Sequence, residues 1–296
     1  MNLESIRGQT LNKNTQQIFL TILNSIQKCI NNSKYSEEKK IHEVRKNIKK
    51  LRAVLRLVKY SGNIDTNKYW DKQLKEIAQS GSELREKYLM LNTLDDIVES
   101  YDLEINIIYF DYLYNRLTQD YNMLKFVLFD EMHLWESINH KVNNLKNKKD
   151  DIRLLSKGEK VIEQNLVMEY QKGREQMSTS QKDPTFKNCH QWRKSVKYLW
   201  YEIRILKIFS NIKLHGYLKK LHNLSEILGD AHDLSDLKTF LKINFENKQL
   251  SELNSICSGI DCLWHDKIDQ AFEKGSRIFK ENSDQFMKKF KNRLQN

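Results

Sequence analysis

Six basic side chains recur along one stretch of the chain: His42, Arg45, Lys49, Arg52, Arg56 and Lys59 are spaced by 3, 4, 3, 4 and 3 residues. On an α-helix this spacing stacks side chains above one another along a single face. A second stretch carries His190, Arg193, Lys197, Arg204 and Lys207 in the same rhythm, with Trp200 where the first has Arg52. Lys46 and Lys194 lie one step off the two rows. Solvated helix faces usually alternate in sign, because like charges at i, i+4 repel by roughly 0.2–0.5 kcal/mol per pair. Rows of this length with no acid among them need a multivalent anion, or carboxylates supplied by neighbouring helices. Arginine offers paired N–H donors to phosphate oxygens and lysine offers a point charge, a mixture suited to a repeating phosphate backbone.

The helices that must hold these rows are legible beside them. Val44, Ile48, Leu51, Leu55 and Val58 form an apolar seam next to the first row, and Trp192, Val196, Leu199, Ile203 and Leu206 form one next to the second. Each stretch is therefore an amphipathic helix with one side committed to a core. The two stretches are also copies of one another. Residues 41–59 laid over 189–207 share seven identities in nineteen positions without a gap, at an offset of half the chain. Further on, Leu74 aligns with Leu221, Ile77 with Leu224, and Arg85-Glu86 with His232-Asp233. The chain reads as a duplicated helical unit, with halves 1–150 and 151–296 of about six helices each.

A single proline and nine glycines in 296 residues point to an all-α fold with few connections. Periodicity predicts helices over 11–31, 37–60, 65–80, 83–99, 104–123 and 125–147 in the first half. In the second it predicts 157–178, 184–210, 214–228, 233–246, 249–262 and 264–294. Ser61-Gly62-Asn63 and Leu228-Gly229-Asp230 read as helix ends with a left-handed glycine cap, and Asp233 as the cap of the next helix. Ser36 before Glu37-Glu38, and Asp183 before Pro184, read as helix starts.

Fifty Lys and Arg against 39 Asp and Glu give a formal net charge of +11, which favours polyanionic partners. Residues 41–60 carry a net +6 and residues 182–207 a net +5, so the surplus clusters on the two copied helices. Cys29, Cys189, Cys257 and Cys262 contain no C-x-x-C pair, and Cys257, Cys262 and His265 lack a fourth ligand at zinc spacing. Free thiols, the absence of a signal-like apolar run at the N-terminus and the lack of any 18-residue apolar stretch lead us to expect a cytoplasmic protein with no membrane span. His232-Asp233, with His222 and Asp266 nearby, is the one pattern reminiscent of a metal phosphohydrolase. Its repeat partner is Arg85-Glu86, however, and a metal ligand has no business at an arginine position. His42 and His190 sit among cations that repel a metal. H-E-x-x-H, Walker and G-x-S-x-G patterns are absent. No enzymatic activity is expected. Tyr198, Trp200 and Tyr201 have the ring chemistry to stack on bases, although aromatics at this spacing usually belong to a core.

At these residues the chain resembles the CHAD family, the conserved histidine α-helical domain. The family pattern H-x-x-R-(K/R)-x-x-(K/R) is matched by His42 through Lys49, continuing to Leu51 and Arg52, and by His190 through Lys197 with Leu199. A second element, L-G-x-x-x-D, is matched by Leu228, Gly229 and Asp233. In the first half Gly81 and Arg85-Glu86 resemble a G-x-x-R-D element with one residue inserted and Glu for Asp. The resemblance implies two helical bundles related by a pseudo-two-fold, with the basic helices lining a central groove. It implies binding of inorganic polyphosphate, without a required cofactor. The residues it places on the anion are His42, Arg45, Lys46, Lys49, Arg52, Arg56, Lys59, His190, Arg193, Lys194, Lys197, Arg204 and Lys207. Nucleic acid or another polyanion on the same surface is the alternative, as is an acidic protein partner or a scaffold coating a polyphosphate or storage granule.

Overall fold

The computed structural model describes residues 8–57, 64–100, 107–151, 158–209, 214–245 and 250–295. The described residues are helical almost throughout. The first half holds α1 (Gly8–Ile30), α2 (Glu37–Leu57), α3 (Ile64–Gln79), α4 (Ser82–Ser100), α5 (Ile107–Phe126) and α6 (Leu134–Asn147). The second holds α7 (Gly158–Lys182), α8 (Phe186–Phe209), α9 (His215–Phe245), α10 (Leu250–Ile278) and α11 (Ser283–Gln295). The packing order of α1, α2 and α3 recurs in α7, α8 and α9: α2 touches α1 and α3, and α8 touches α7 and α9. The two basic helices, α2 and α8, also pack on each other, and α4 packs on α9.

Both apolar seams lie in the core as their spacing requires. Val44, Ile48, Leu51 and Leu55 of α2 are buried, as are Trp192, Val196, Leu199, Ile203 and Leu206 of α8. Ser36 starts α2, accepting a hydrogen bond from the Lys39 N–H at 3.3 Å. The C-terminal carbonyls of α2 are satisfied from another helix: Asn165 of α7 donates to the Arg56 and Leu57 carbonyls at 3.1 and 2.9 Å. The predicted cap at Ser61-Gly62-Asn63, like Val58 and Lys59, lies outside the described residues.

Several expected boundaries are corrected. Gly229 does not end a helix, because α9 runs through it from His215 to Phe245. A glycine inside a helix costs only about 1 kcal/mol, and buried Leu224, Leu228, Ala231 and Leu234 hold the helix together on either side. Asp233 is accordingly mid-helix and caps nothing. The expected break at 262–264 is absent too, since Trp264 packs edge-on against Phe186 at 4.9 Å in the middle of α10. The break comes instead at Asn282, where Asn282 and Gln285 each accept the other's backbone N–H, a reciprocal cap that starts α11. The cap of α8 is Thr185, which accepts the Asn188 N–H, while Asp183 holds the Asn188 side chain. The predicted 125–147 helix is interrupted by a π-turn at Val127–Glu131 and by His133 in the left-handed region at φ 47°.

Helices α7, α8 and α10 approach closely at glycines. A Cβ placed on Gly275 would sit 2.6 Å from the Trp192 ring and 2.8 Å from the Met177 sulfur. Trp192 is fully buried and has nowhere to retreat. Gly275→Ala should therefore destabilise the fold by about 1–3 kcal/mol through overpacking, read as a lower denaturation midpoint with unchanged slope.

Candidate anion-binding groove

Where α2 crosses α8 a groove of about 620 Å³ opens, walled on its other sides by α4 and α9. His42, Arg45, Lys46 and Lys49 reach it from α2, Arg193, Lys197 and Arg204 from α8, and Arg85 from α4. The 3–4 spacing explains the arrangement. With Val44, Ile48 and Leu51 buried, Arg45 and Lys49 are turned onto a face that α8 only partly covers.

The other members of the basic rows lie elsewhere. Arg52 donates from Nε to Asp71 of α3 at 2.7 Å. Arg56 donates to Glu202 of α8 at 2.9 Å, with the Tyr198 ring 3.9 Å from its guanidinium carbon. At a rise of about 1.5 Å per residue, Arg56 lies about 16 Å along the axis from Arg45, beyond the groove's end. His190 packs against His232, with their Nδ1 atoms 3.3 Å apart. Lys194 and Lys207 are not part of the lining, and Lys59 lies outside the described residues. Carboxylates from neighbouring helices thus take Arg52 and Arg56, and the groove collects His42, Arg45 and Lys49 from the first row and Arg193, Lys197 and Arg204 from the second.

Inside the groove the cations strain against one another. Lys49 and Lys197 make no hydrogen bond or ion pair among the described residues. Partial desolvation in the groove, and then Lys197, Arg193, Arg45 and Arg85, lower the Lys49 ammonium below its usual range, although its side chain is exposed at the mouth and water screens the effect. Burial and Arg193 take Lys197 down to about 8, against the pull of Glu226, Asp233 and Asp230. The Nε of Arg193 is buried without a partner. Gly229 lies beside that guanidinium, 3.9 Å from the position a Cβ would take, so the motif glycine borders the groove instead of closing a helix.

The facing wall is acidic. Glu86 comes from α4, and Glu226, Asp230, Asp233 and Asp236 descend one side of α9. Asp230 is paired with Lys267 at 2.8 Å. Burial, followed by Asp233 and Glu86, lifts Asp236 to about 6. Burial, with Arg193 and His190 beside it, holds the His232 imidazole neutral, down at about 3. His232 therefore lies among cations with Asp236 3.3 Å from its Nδ1, and among the described residues no group of three or more His, Cys, Asp and Glu is placed to hold a metal ion. Neither Arg85 nor the acidic wall was anticipated as part of a site. The signal was present, because Glu226, Asp230, Asp233 and Asp236 keep helical spacing, but a helix end assumed at Gly229 cuts that row in two. Arg85 stands out in the sequence as the repeat partner of His232 and in the G-x-x-R-D-like element after Gly81, neither of which assigns it to the anion.

The family model for the CHAD domain matches residues 17–242. The crystal structure of the CHAD domain from the plant Ricinus communis superposes with a TM-score of 0.60 at 13% sequence identity, covering 90% of this chain and 91% of that one. At that identity the likeness concerns the fold. No curated protein matches the chain. Among the described residues no helix is long and apolar enough to cross a membrane.

Proposed function

The chain belongs to the CHAD domain family, and we propose that it binds inorganic polyphosphate in the groove between α2 and α8 without turning it over. One observation carries this reading. Lys49 and Lys197, one from each copied helix, face the same space without an ion-pair partner, beside Arg45, Arg85 and Arg193. Such mutual repulsion in a partly desolvated site is relieved by an anion carrying several charges, and phosphate oxygens accept both arginine forks and lysine point charges. The four cysteines are free, in keeping with a reducing, cytoplasmic setting in which the polyphosphate is free or granule-borne.

The test is a titration with long-chain polyphosphate in the presence and absence of RNA. Polyphosphate should displace bound RNA; RNA that resists displacement and shows base preference would make the surface a nucleic-acid site. Incubation with polyphosphate and Mg²⁺ or Mn²⁺ should release no phosphate above background, and turnover abolished by His232→Ala would overturn the reading as a binder.

Protonation gives an independent prediction. Lys197, lowered to about 8, is partly neutral in the free groove, Lys49 is shifted in the same direction, and a bound phosphate favours the charged forms of both. Binding at pH 8 should therefore take up protons, and affinity should fall as the pH rises from about 7 to about 9. Calorimetry in buffers of unlike ionisation enthalpy measures the uptake directly. Proton release on binding would contradict it.

A further inference from the structure

A bare phosphate chain leaves part of the groove unused. Its oxygens accept hydrogen bonds and pair with cations, but they offer nothing to a carboxylate. Glu226 and Asp236 nevertheless share the lining with Lys49 and Lys197, Glu226 with an oxygen 3.8 Å from His222 Nδ1 and Asp236 with one 3.3 Å from His232 Nδ1, contacts that leave each carboxylate room for a further donor. The fully buried Ser225 hydroxyl, in the same lining, has no hydrogen-bond partner. These groups call for a ligand that carries donors as well as phosphates.

The groove also holds an aromatic shelf. Trp200 lies parallel to His222, with ring centroids 4.9 Å apart and an interplanar angle of 12°. Tyr201 meets Trp200 edge-on at 4.6 Å. All three line the groove, and the His222 side chain is 49% exposed, which leaves the stack open to a further ring. Arg204 stands 5.2 Å over Trp200, so a cation adjoins the shelf. This is the position at which the second copy departs from the first. The first copy carries Arg52, spent on Asp71 away from the groove, whereas the second carries a ring inside it.

We propose that, among short phosphate chains, this groove prefers those that carry a nucleoside. The phosphates lie on Lys49, Lys197 and Arg204, the base extends the Trp200–His222 stack, and sugar hydroxyls or a base amino group donate to Glu226. The proposal rests on the groove being a phosphate site. It adds a second recognition element, which inorganic polyphosphate does not use.

Inorganic tripolyphosphate and ATP carry the same number of phosphates, and the inorganic chain has the higher charge. A groove that reads charge alone binds tripolyphosphate at least as tightly. Stacking of a base on aromatic side chains is worth several-fold to about 100-fold in affinity. Calorimetric titration of the full chain in EDTA should therefore show ATP bound about 10-fold tighter than tripolyphosphate. Trp200→Arg, which restores the residue type of the first copy, should abolish or reverse that preference, while Trp200→Phe, which keeps a ring, should retain most of it. Equal affinities for ATP and tripolyphosphate in the wild-type chain would overturn this inference and leave the groove as a phosphate site. The same holds if Trp200→Arg, with its helical circular dichroism intact, weakens both ligands alike. Binding of neither ligand, together with no binding of long-chain polyphosphate, would overturn the phosphate reading itself.

Discussion

Lys49→Glu is expected to lower the affinity for polyphosphate roughly 100-fold and, in the same protein, to leave the melting temperature unchanged or slightly raised. The two effects share one cause. The charges that act most strongly on Lys49 are Lys197, Arg193, Arg45 and Arg85, all cations, and water at its exposed side chain screens them in part. A carboxylate at that point meets four cations in the free protein, so the groove is internally neutralised and the fold gains. The same neutralisation removes the reason for an anion to enter, and it replaces a charge-assisted contact of roughly 2 kcal/mol with a repulsion. Lys197→Glu should behave differently. Glu226, Asp233 and Asp230 act on that position, so a carboxylate there loses binding without gaining stability. A site kept strained for binding gives this opposition of stability and function. Calorimetry and thermal melts on the two variants decide the matter. If Lys49→Glu melts lower than the wild type, or if both variants bind as it does, the groove is not a strained anion site.

Arg56→Ala should be the most damaging single truncation of the basic rows, by about 1–3 kcal/mol at neutral pH, and for a reason unrelated to any ligand. Glu202 is fully buried, its Oε2 has no partner, and burial lifts its carboxyl to about 8 even with the Arg56 guanidinium pulling it down. Removing Arg56 leaves that carboxyl alone between α2 and α8. The pH dependence follows from the direction of the shift. A carboxyl raised in the folded state binds more protons there than in the unfolded chain, so stability falls as pH rises from the ordinary carboxylate range to about 8 and levels off above it. The penalty of Arg56→Ala should therefore be larger at pH 8 than at pH 5. The double change Arg56→Met with Glu202→Met should recover most of the loss and leave polyphosphate affinity within roughly twofold of wild type. A double variant that folds but no longer binds would return Arg56 to the site.

Much of this architecture can be read from residue spacing, because a helix fixes which side chains share a face. The apolar seams Val44–Ile48–Leu51–Leu55 and Trp192–Val196–Leu199 are buried where periodicity puts them, and part of each basic row beside them reaches one groove. What spacing does not disclose is which members of a row will be matched by another helix. Arg52 and Arg56 share a face with Arg45 and Lys49, yet Asp71 lies on α3 and Glu202 on α8, and their approach depends on packing. Glu202 was the harder of the two to see, since its repeat partner is the buried Val54. Gly229 misled for a different reason. Local propensity favours a stop there, but buried leucines on both sides outweigh the modest cost of one glycine, and with the helix continuous the acidic side of α9 faces the groove. The π-turn at Val127–Glu131 and the left-handed His133 carry no glycine or proline to announce them.

The most direct test is the salt dependence of polyphosphate binding to the unmodified protein. Seven Lys and Arg side chains line the groove, and each phosphate they neutralise releases condensed counterions, by analogy with single-stranded nucleic acid at about 0.7 per contact. If some five to seven of them engage, log K against log salt should fall with a slope of roughly −3.5 to −5, and Lys49→Glu should flatten it. An affinity that does not change with salt, or a slope untouched by Lys49→Glu, would mean that polyphosphate does not bind in the groove between α2 and α8.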